Sequence, residues 1–259
     1  HTLMKDYPKV AIIVLNWNGW QDTIECLESL QRITYPNYQM ILCDNASTDG
    51  SIKKIKEWCS GEIPINTIFV RFSPELKPVE CVEYTREELE NGNDLQREKT
   101  LSNLPSNRKL IIIHTGDNLG FAGGNNIGIK YALENNAQYV LLLNNDTVVN
   151  ENFLEPLAEA LKGEGIGAVG PKVYYYSEPK EIQSFGAKVS MWTGQHPPIG
   201  EGKIDRGQFN RPIFPDSLSG AAIMTKVPVL EAVGLLDEQY FLYSEEVDWC
   251  YRARKAGYK

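Results

Sequence analysis

The chain has 259 residues, with 26 Lys and Arg against 34 Asp and Glu, a formal charge of -8, 42% hydrophobic and 23% charged residues. This is the composition of a globular protein rather than a disordered one. An acidic chain without an obvious basic run is a poor candidate for binding nucleic-acid polymers, whose phosphates demand Lys and Arg, although a single nucleotide remains admissible.

His1-Thr2-Leu3, ahead of Met4, reads as a tag remnant. Val10 to Leu15 is the first predicted strand, and after the polar turn Asn16 to Gly19 the residues Ile24, Leu27, Leu30 and Ile33 recur at helical spacing. Gln39 to Cys43 is the second strand, followed by a helix through Ile52, Ile55 and Trp58 with Ser47, Thr48 and Asp49 as caps. Ile65 to Val70 is expected as a third strand. Residues 72–108 carry Pro74, Pro78 and Pro105 and no sustained apolar face, and are expected to be a polar insertion. The rhythm resumes with a strand at Leu110 to His114, a glycine-rich turn at Asn118 to Asn126, and a helix through Ile127, Tyr131 and Leu133. Next come a strand at Val140 to Leu143, a helix at Phe153 to Leu161 and a short strand at Ala168-Val169.

Residues 171–215, rich in aromatics, glycine and proline, are expected as strands and loops laid against the main sheet. A strand at Ala221 to Thr225 and a helix from Glu245, stopped at Gly257, complete the pattern. Alternating strands and helices specify an α/β protein around a mostly parallel sheet. The longest apolar runs, Val10 to Leu15 and Tyr139 to Leu143, fall far short of the roughly 20 residues that span a bilayer, and no signal peptide is expected ahead of them.

In an open parallel sheet the ligand crevice lies beyond the carboxyl ends of the strands. Four polar clusters fall there: Asn16 to Asn18, Asp44 to Ser47, Asn118 to Asn126, and Asn144 to Asp146. Turns and helix caps use the same residue types, so each cluster alone has a structural explanation, whereas their convergence describes a pocket. The glycine run lacks GxGxxG and no Lys-Ser/Thr pair follows it, so neither a dinucleotide fingerprint nor a P-loop is present. Three histidines exclude a His-rich zinc site, and five scattered cysteines without CxxC suit reduced thiols. A metal here needs oxygen ligands. Asp146, directly after a buried run, is a candidate ligand for a hard divalent cation, and Glu245, Glu246 and Asp248 are candidates for a general base.

The segments VAIIVLNWNG, ILCDNASTDGS, NLGFAGGNNIGI, YVLLLNNDTVV, LSGAAIMTK and FLYSEEVDWCYRARKAGY, in this order, resemble family 2 glycosyltransferases of the inverting GT-A type. They are most similar to the rhamnosyltransferase-like members that build surface polysaccharides. The resemblance implies a single GT-A domain over residues 1–259, with a nucleotide and metal part at 118–150 and an acceptor side at 171–259. It assigns Asp44, Asn45 and Ser47 to base and ribose recognition, and Asn16, Asn18, Asn118, Gly123, Asn126 and Asn145 to the rest of the nucleotide cradle. Asn144-Asn145-Asp146 stands where the family has its DxD motif, which makes Asp146 the ligand of Mn or Mg. Glu246 occupies the position of the catalytic base, usually Asp, with Glu245 and Asp248 as substitutes. Gly220 and Trp249 fall on the acceptor side, and Tyr174 to Tyr176 and Trp192 offer flat faces for sugars.

The implied reaction transfers a sugar, rhamnose among the candidates, from a dTDP- or UDP-sugar to a glycan or lipid-linked glycan acceptor. The implied location is cytoplasmic, with peripheral association at the inner face of the membrane. Family members usually continue past Lys259 to a histidine that completes the metal site, so the chain is expected to be a shortened catalytic core. Two alternatives stand beside this reading: a sugar nucleotidyltransferase, whose early glycine- and lysine-rich loop is replaced here by LNWNG, and a non-catalytic sugar-nucleotide or glycan-binding module, which Asn144 and Glu246 in place of Asp would suit.

Overall fold

The computed structural model describes residues 6–92 and 95–259. Residues 1–3, expected as a tag remnant, lie outside the described residues. In chain order the elements are β1 (Val10–Asn16), α1 (Trp20–Leu30), β2 (Tyr38–Asp44), α2 (Ser51–Ser60), β3 (Glu80–Thr85), α3 (Arg86–Glu90), α4 (Leu95–Glu98), β4 (Lys109–His114), α5 (Gly120–Glu134) and β5 (Tyr139–Asn144). They continue with α6 (Leu154–Leu161), β6 (Ala168–Val169), β7 (Val173–Tyr174), β8 (Ile182–Ser184), β9 (Ala222–Lys226), α7 (Val227–Val233) and α8 (Glu245–Lys255).

A seven-stranded sheet runs in the order β3-β4-β2-β1-β5-β9-β6, and β7 pairs with β8 in a small second sheet. From β3 through β5 every pairing is parallel, whereas β9 lies antiparallel to both β5 and β6. The α/β class with a mostly parallel sheet therefore holds. Strand alternation divides the core between the two faces. Val10, Ile12 and Val14 meet Leu27 of α1, Trp58 of α2 and Leu154 of α6, while Ala11 and Ile13 meet Ile129 of α5, Leu230 of α7 and Trp249 of α8. Helices thus cover both faces, the arrangement in which strands buried on both sides read as continuous apolar runs. The sheet's carboxyl ends are left open at Asn16, Asp44, His114 and Asn144.

Three sequence expectations are corrected. Ile65 to Val70 forms no strand; Thr67 Oγ1 accepts from the amides of Phe69 (3.1 Å) and Val70 (3.2 Å), and Thr67 N donates to Val70 O (2.9 Å), folding the segment on itself. Local bonds of this kind compete with a ladder for the same backbone groups. Residues 72–108 are not merely a polar insertion, since they contribute β3 to the main sheet with Val82 and Tyr84 buried. The Asn118 to Asn126 run is no turn: from Gly120 onward it is the opening of α5. Its glycines let the helix lie close on the sheet. A Cβ at Gly124 would meet Leu15 Cδ1 at 2.5 Å and the Asn45 amide at 2.8 and 2.9 Å, and one at Gly128 would meet Ile13 Cγ2 at 2.7 Å and Cys43 Sγ at 2.9 Å.

Candidate functional site

The carboxyl ends of β1 and β2 carry a buried polar cluster. Asn16 Nδ2 donates to Asp44 Oδ1 (2.8 Å) and to Ser47 Oγ (3.1 Å). Ser47 donates from Oγ to Asp44 Oδ1 (2.7 Å) and from its amide to Asp44 Oδ2 (3.0 Å). Asn18, at a φ of 51°, donates its amide to Ser47 Oγ (2.9 Å) and accepts on Oδ1 from the amides of Thr48 (2.7 Å) and Asp49 (3.2 Å). Parallel pairing of Asn16 with Asp44 brings the two side chains together, because equal register puts them on the same face. Asn45 donates to Gly120 O (2.9 Å) and Asn118 Oδ1 (3.4 Å) and accepts from Thr115 Oγ1 (3.1 Å), which ties the start of α5 to β2.

At the end of β5, Asn145 Nδ2 donates to Thr23 Oγ1 (3.1 Å) and reaches Gly19 O at 3.5 Å. Thr23 donates in turn to Asn16 Oδ1 (2.8 Å). Asp146 is exposed. Its neighbourhood is negative: burial first, then the charges of Asp146 and Glu25, push the Asp22 carboxyl up from its ordinary range. Among the described residues no group of three or more His, Cys, Asp or Glu assembles as a metal cage. A Mg- or Mn-type ion usually keeps waters and substrate phosphates and needs only one or two carboxylates, so Asp146 in this negative surrounding fits such an ion.

Across β5, Asn144 N donates to Ala221 O (2.9 Å), and a Cβ at Gly220 would stand 3.5 Å from Glu246 Cδ. Glu246 therefore lies beside the same strand end as Asp146. It lines a small, mostly apolar cavity with Gly220, Phe121, Leu142, Leu236 and Trp249. Glu245, in contrast, turns inward, is 4% exposed, and leaves Oε2 without a hydrogen-bond partner. Burial raises its pKa, with Glu246 adding to the shift against the lowering effect of its own amide. Asp248 is engaged by Arg252 Nε (2.8 Å), whose guanidinium also donates to Val233 O (2.9 Å) and Leu235 O (2.8 Å).

Asn16, Asn18, Asp44 and Ser47 thus come together in one cluster, which Asn145 joins through Thr23. Several other expected residues do not join it. Asn126 spends its amide on Leu236 O (2.9 Å), Glu238 Oε1 (2.9 Å) and the Leu236 amide (3.1 Å), clamping the segment ahead of α8. Gly123 is buried within α5, where a Cβ would meet Leu119 Cβ at 2.8 Å. Trp249 is 3% exposed and donates from Nε1 to Gly234 O (2.9 Å), so it packs in the core and meets the site only through the small cavity it lines with Glu246. Tyr174 and Tyr176 donate to Asp205 (2.6 Å) and Glu25 (2.9 Å), whereas Trp192 is 99% exposed. Thr23 is the site residue that the sequence reading passes over. Its only signal is a polar residue on the buried face of α1, directly before Ile24.

A mostly parallel sheet between two helical layers, with β9 antiparallel within it, is the architecture of the GT-A glycosyltransferases to which this structure is similar. The same fold occurs in a mannosyltransferase from Pyrobaculum calidifontis solved in complex with GDP-Man and Mn2+ (TM-score 0.59, 15% identity, covering 98% of this chain and 54% of that one). It occurs also in GalNAc-T7 solved with UDP, GalNAc and Mn2+ (TM-score 0.61, 14% identity, covering 98% and 42%). The sequence profile of glycosyl transferase family 2 matches residues 11–73 and 93–222, and the chain belongs to that family. Its curated relatives include a low-salt glycan biosynthesis hexosyltransferase of Haloferax volcanii, 30% identical over 153 residues. A dTDP-rhamnosyl transferase of Shigella flexneri is 24% identical over 208 residues. These stretches are 55% and 74% of this chain, and 46% and 64% of the relatives' own lengths.

Proposed function

We propose that the chain carries the donor site and the general base of an inverting glycosyltransferase. It would move a sugar from a dTDP- or UDP-sugar to a glycan or lipid-linked glycan acceptor. The observation that carries the reading is that Asp146, two residues past the end of β5, and Glu246, beside Gly220, both lie near that one strand end. Rhamnose is supported by the Shigella flexneri relative's name and surface-glycan synthesis by that of the Haloferax volcanii one. Free and mostly buried thiols suit a reducing cytoplasm. Among the described residues no helix is long and apolar enough to cross a membrane; a lipid-linked acceptor would be met by peripheral contact with the inner face of the membrane.

Asp44 keeps acceptor capacity on Oδ2, which receives only the Ser47 amide, and would take a hydrogen bond from the donor's base or ribose. Asp146 would hold the divalent cation, whose bound charge neutralises the negative charge that develops on the leaving diphosphate. Glu246 would accept the proton of the acceptor hydroxyl as its oxygen bonds to the anomeric carbon and the bond from that carbon to phosphate breaks. One displacement from the opposite face inverts the centre.

The test is calorimetric titration with UDP, dTDP and GDP, with and without Mn2+, together with turnover assays. Asp146→Ala should abolish the metal-dependent part of binding. Glu246→Gln should leave binding unchanged and lower turnover by about 10²- to 10⁴-fold, the usual worth of a positioned base. Absence of metal-dependent nucleotide binding in the unsubstituted protein would overturn the reading, and the reverse pattern in the two variants would exchange the roles.

A further inference from the structure

We infer that Thr23 is a positioning residue whose hydroxyl fixes the side chains of Asn16 and Asn145 together, and so couples the Asp44 end of the site to the Asp146 end. The inference rests on the nucleotide-sugar reading above. Thr23 and Asn16 are both 0% exposed, so each polar atom must be satisfied within the protein. The amide nitrogen of Asn145 can only donate. At 3.1 Å it makes Thr23 Oγ1 an acceptor, and the one hydroxyl proton is left for Asn16 Oδ1 at 2.8 Å.

That single proton decides which way Asn16 faces. With Oδ1 bound to Thr23, Nδ2 is turned to Asp44 Oδ1 (2.8 Å) and Ser47 Oγ (3.1 Å). The opposite orientation would set an amide oxygen against a carboxylate oxygen and leave two donors facing each other's place. Ser47 then has its own proton free for Asp44 Oδ1 at 2.7 Å. The result is a directed chain from Asn145 through Thr23 and Asn16 to Asp44, in which each donated proton has an acceptor of its own. Fully satisfied buried networks of this kind rigidify their members.

A second contact fixes the Asn145 end. A Cβ at Gly19 would stand 2.9 Å from Asn145 Nδ2, so the turn after β1 passes against this amide with no room to spare. Asn145 is the residue before Asp146, and its side chain is thereby held by the turn and by Thr23 at once. Neither Thr23 nor Asn16 needs to touch the leaving group to influence it: a loss of orientation at Thr23 would be felt at both ends.

Thymidine and uridine without metal read the Asp44 end alone, and dTDP and UDP with Mn2+ read both ends. Thr23→Val keeps the shape and removes the hydroxyl. It should weaken nucleoside and nucleoside diphosphate alike by about 10-fold, the worth of one hydrogen bond to a charged network. Thr23→Ser should return both to within about twofold of the unsubstituted protein. Asn145→Ala removes the far end of the chain and should still weaken nucleoside binding about threefold, a loss that is not additive with that of Thr23→Val if orientation is transmitted and is additive if Asn145 touches the nucleoside directly. If Thr23→Val loses its cooperative melting transition, the Asn145→Ala arm is read by itself, and nucleoside binding equal to that of the unsubstituted protein overturns the role. If the unsubstituted protein binds nucleotides while Thr23→Val and Asn145→Ala bind nucleosides as well as it does, the positioning role is overturned and the nucleotide reading stands. If the unsubstituted protein binds none of the probes, the nucleotide reading falls and takes the positioning role with it.

Discussion

Glu245 and Glu246 are neighbours in sequence with opposite surroundings, because successive residues on α8 point about a quarter-turn apart. Glu246 faces the cavity beside Gly220, and Glu245 is buried with one oxygen unpaired. A buried carboxylate with one oxygen unpaired is costly, and the group responds by holding its proton. The raised pKa means that the folded chain binds this proton more tightly than the unfolded chain does. Stability from this residue is therefore complete below its ordinary value of 4.5 and is lost as the pH rises through the folded value. Glu245→Gln should leave the melting temperature nearly unchanged at about pH 4 and raise it at about pH 8. Melting curves at the two pH values check this, and equal shifts at both would show that the buried carboxyl is not the cause. The paired acids were legible in the sequence; their division into a buried and a cavity-facing one was not, since it depends on the left-handed Tyr243 and Ser244 that lead the chain into α8.

At the scale of elements, α5 shows how a correct set of residues can be given the wrong structure. The glycines at Gly120, Gly123, Gly124 and Gly128 suggest a loop, because glycine weakens an isolated helix by roughly 1 kcal/mol per residue. Tertiary packing reverses that preference here. Gly124 and Gly128 are one turn apart on the face that meets β1 and β2, where side chains would collide with Leu15, Asn45, Ile13 and Cys43. Gly124→Ala should destabilise the protein by about 1–3 kcal/mol, as overpacking does. It should also disturb Asn45, which joins β2 to the start of α5. Urea unfolding measures the first effect, and a cost below about 0.5 kcal/mol would show that the contact relaxes freely. Strands β1, β2, β4 and β5 were readable from their apolar runs because both faces are buried. Ile65 to Val70 looked equally good and failed because Thr67 captures the neighbouring amides, a choice that apolar pattern alone does not reveal.

For the whole molecule, the family profile passes over residues 74–92, and β3 lies within them. What fastens this stretch is a buried ion pair: Lys77 Nζ meets Glu28 Oε2 at 3.0 Å and Gln31 Oε1 at 2.6 Å, and lies over the rings of Trp58 and Phe72. Glu28 also receives Trp58 Nε1 (2.7 Å) and the Ser73 amide (2.8 Å). Removing one partner leaves the other charge buried, so Lys77→Ala should cost about 3–5 kcal/mol. Denaturant titration tests this, and a loss under about 1 kcal/mol would mean that water reaches Glu28. Sequence reading misses β3 because Glu80, Glu83 and Thr85 interrupt it with polar residues, as suits a strand with one open side.

That open side bears on behaviour in concentrated solution. The outer edge of β3 is covered in part, since Arg97 Nη1 donates to Glu83 O at 3.1 Å; backbone groups left open on such an edge could pair with an extended chain. Glu80 is exposed on that edge and Glu83 is partly so, on a chain whose formal charge is already -8. Glu83 is paired with Lys56 and with His114 Nε2 (2.9 Å), so a second copy approaching edge to edge would meet the unneutralised charge of Glu80 with its own Glu80. Glu80 by its charge and Arg97 by its cover of the Glu83 carbonyl thus both work against growth of the sheet into an aggregate.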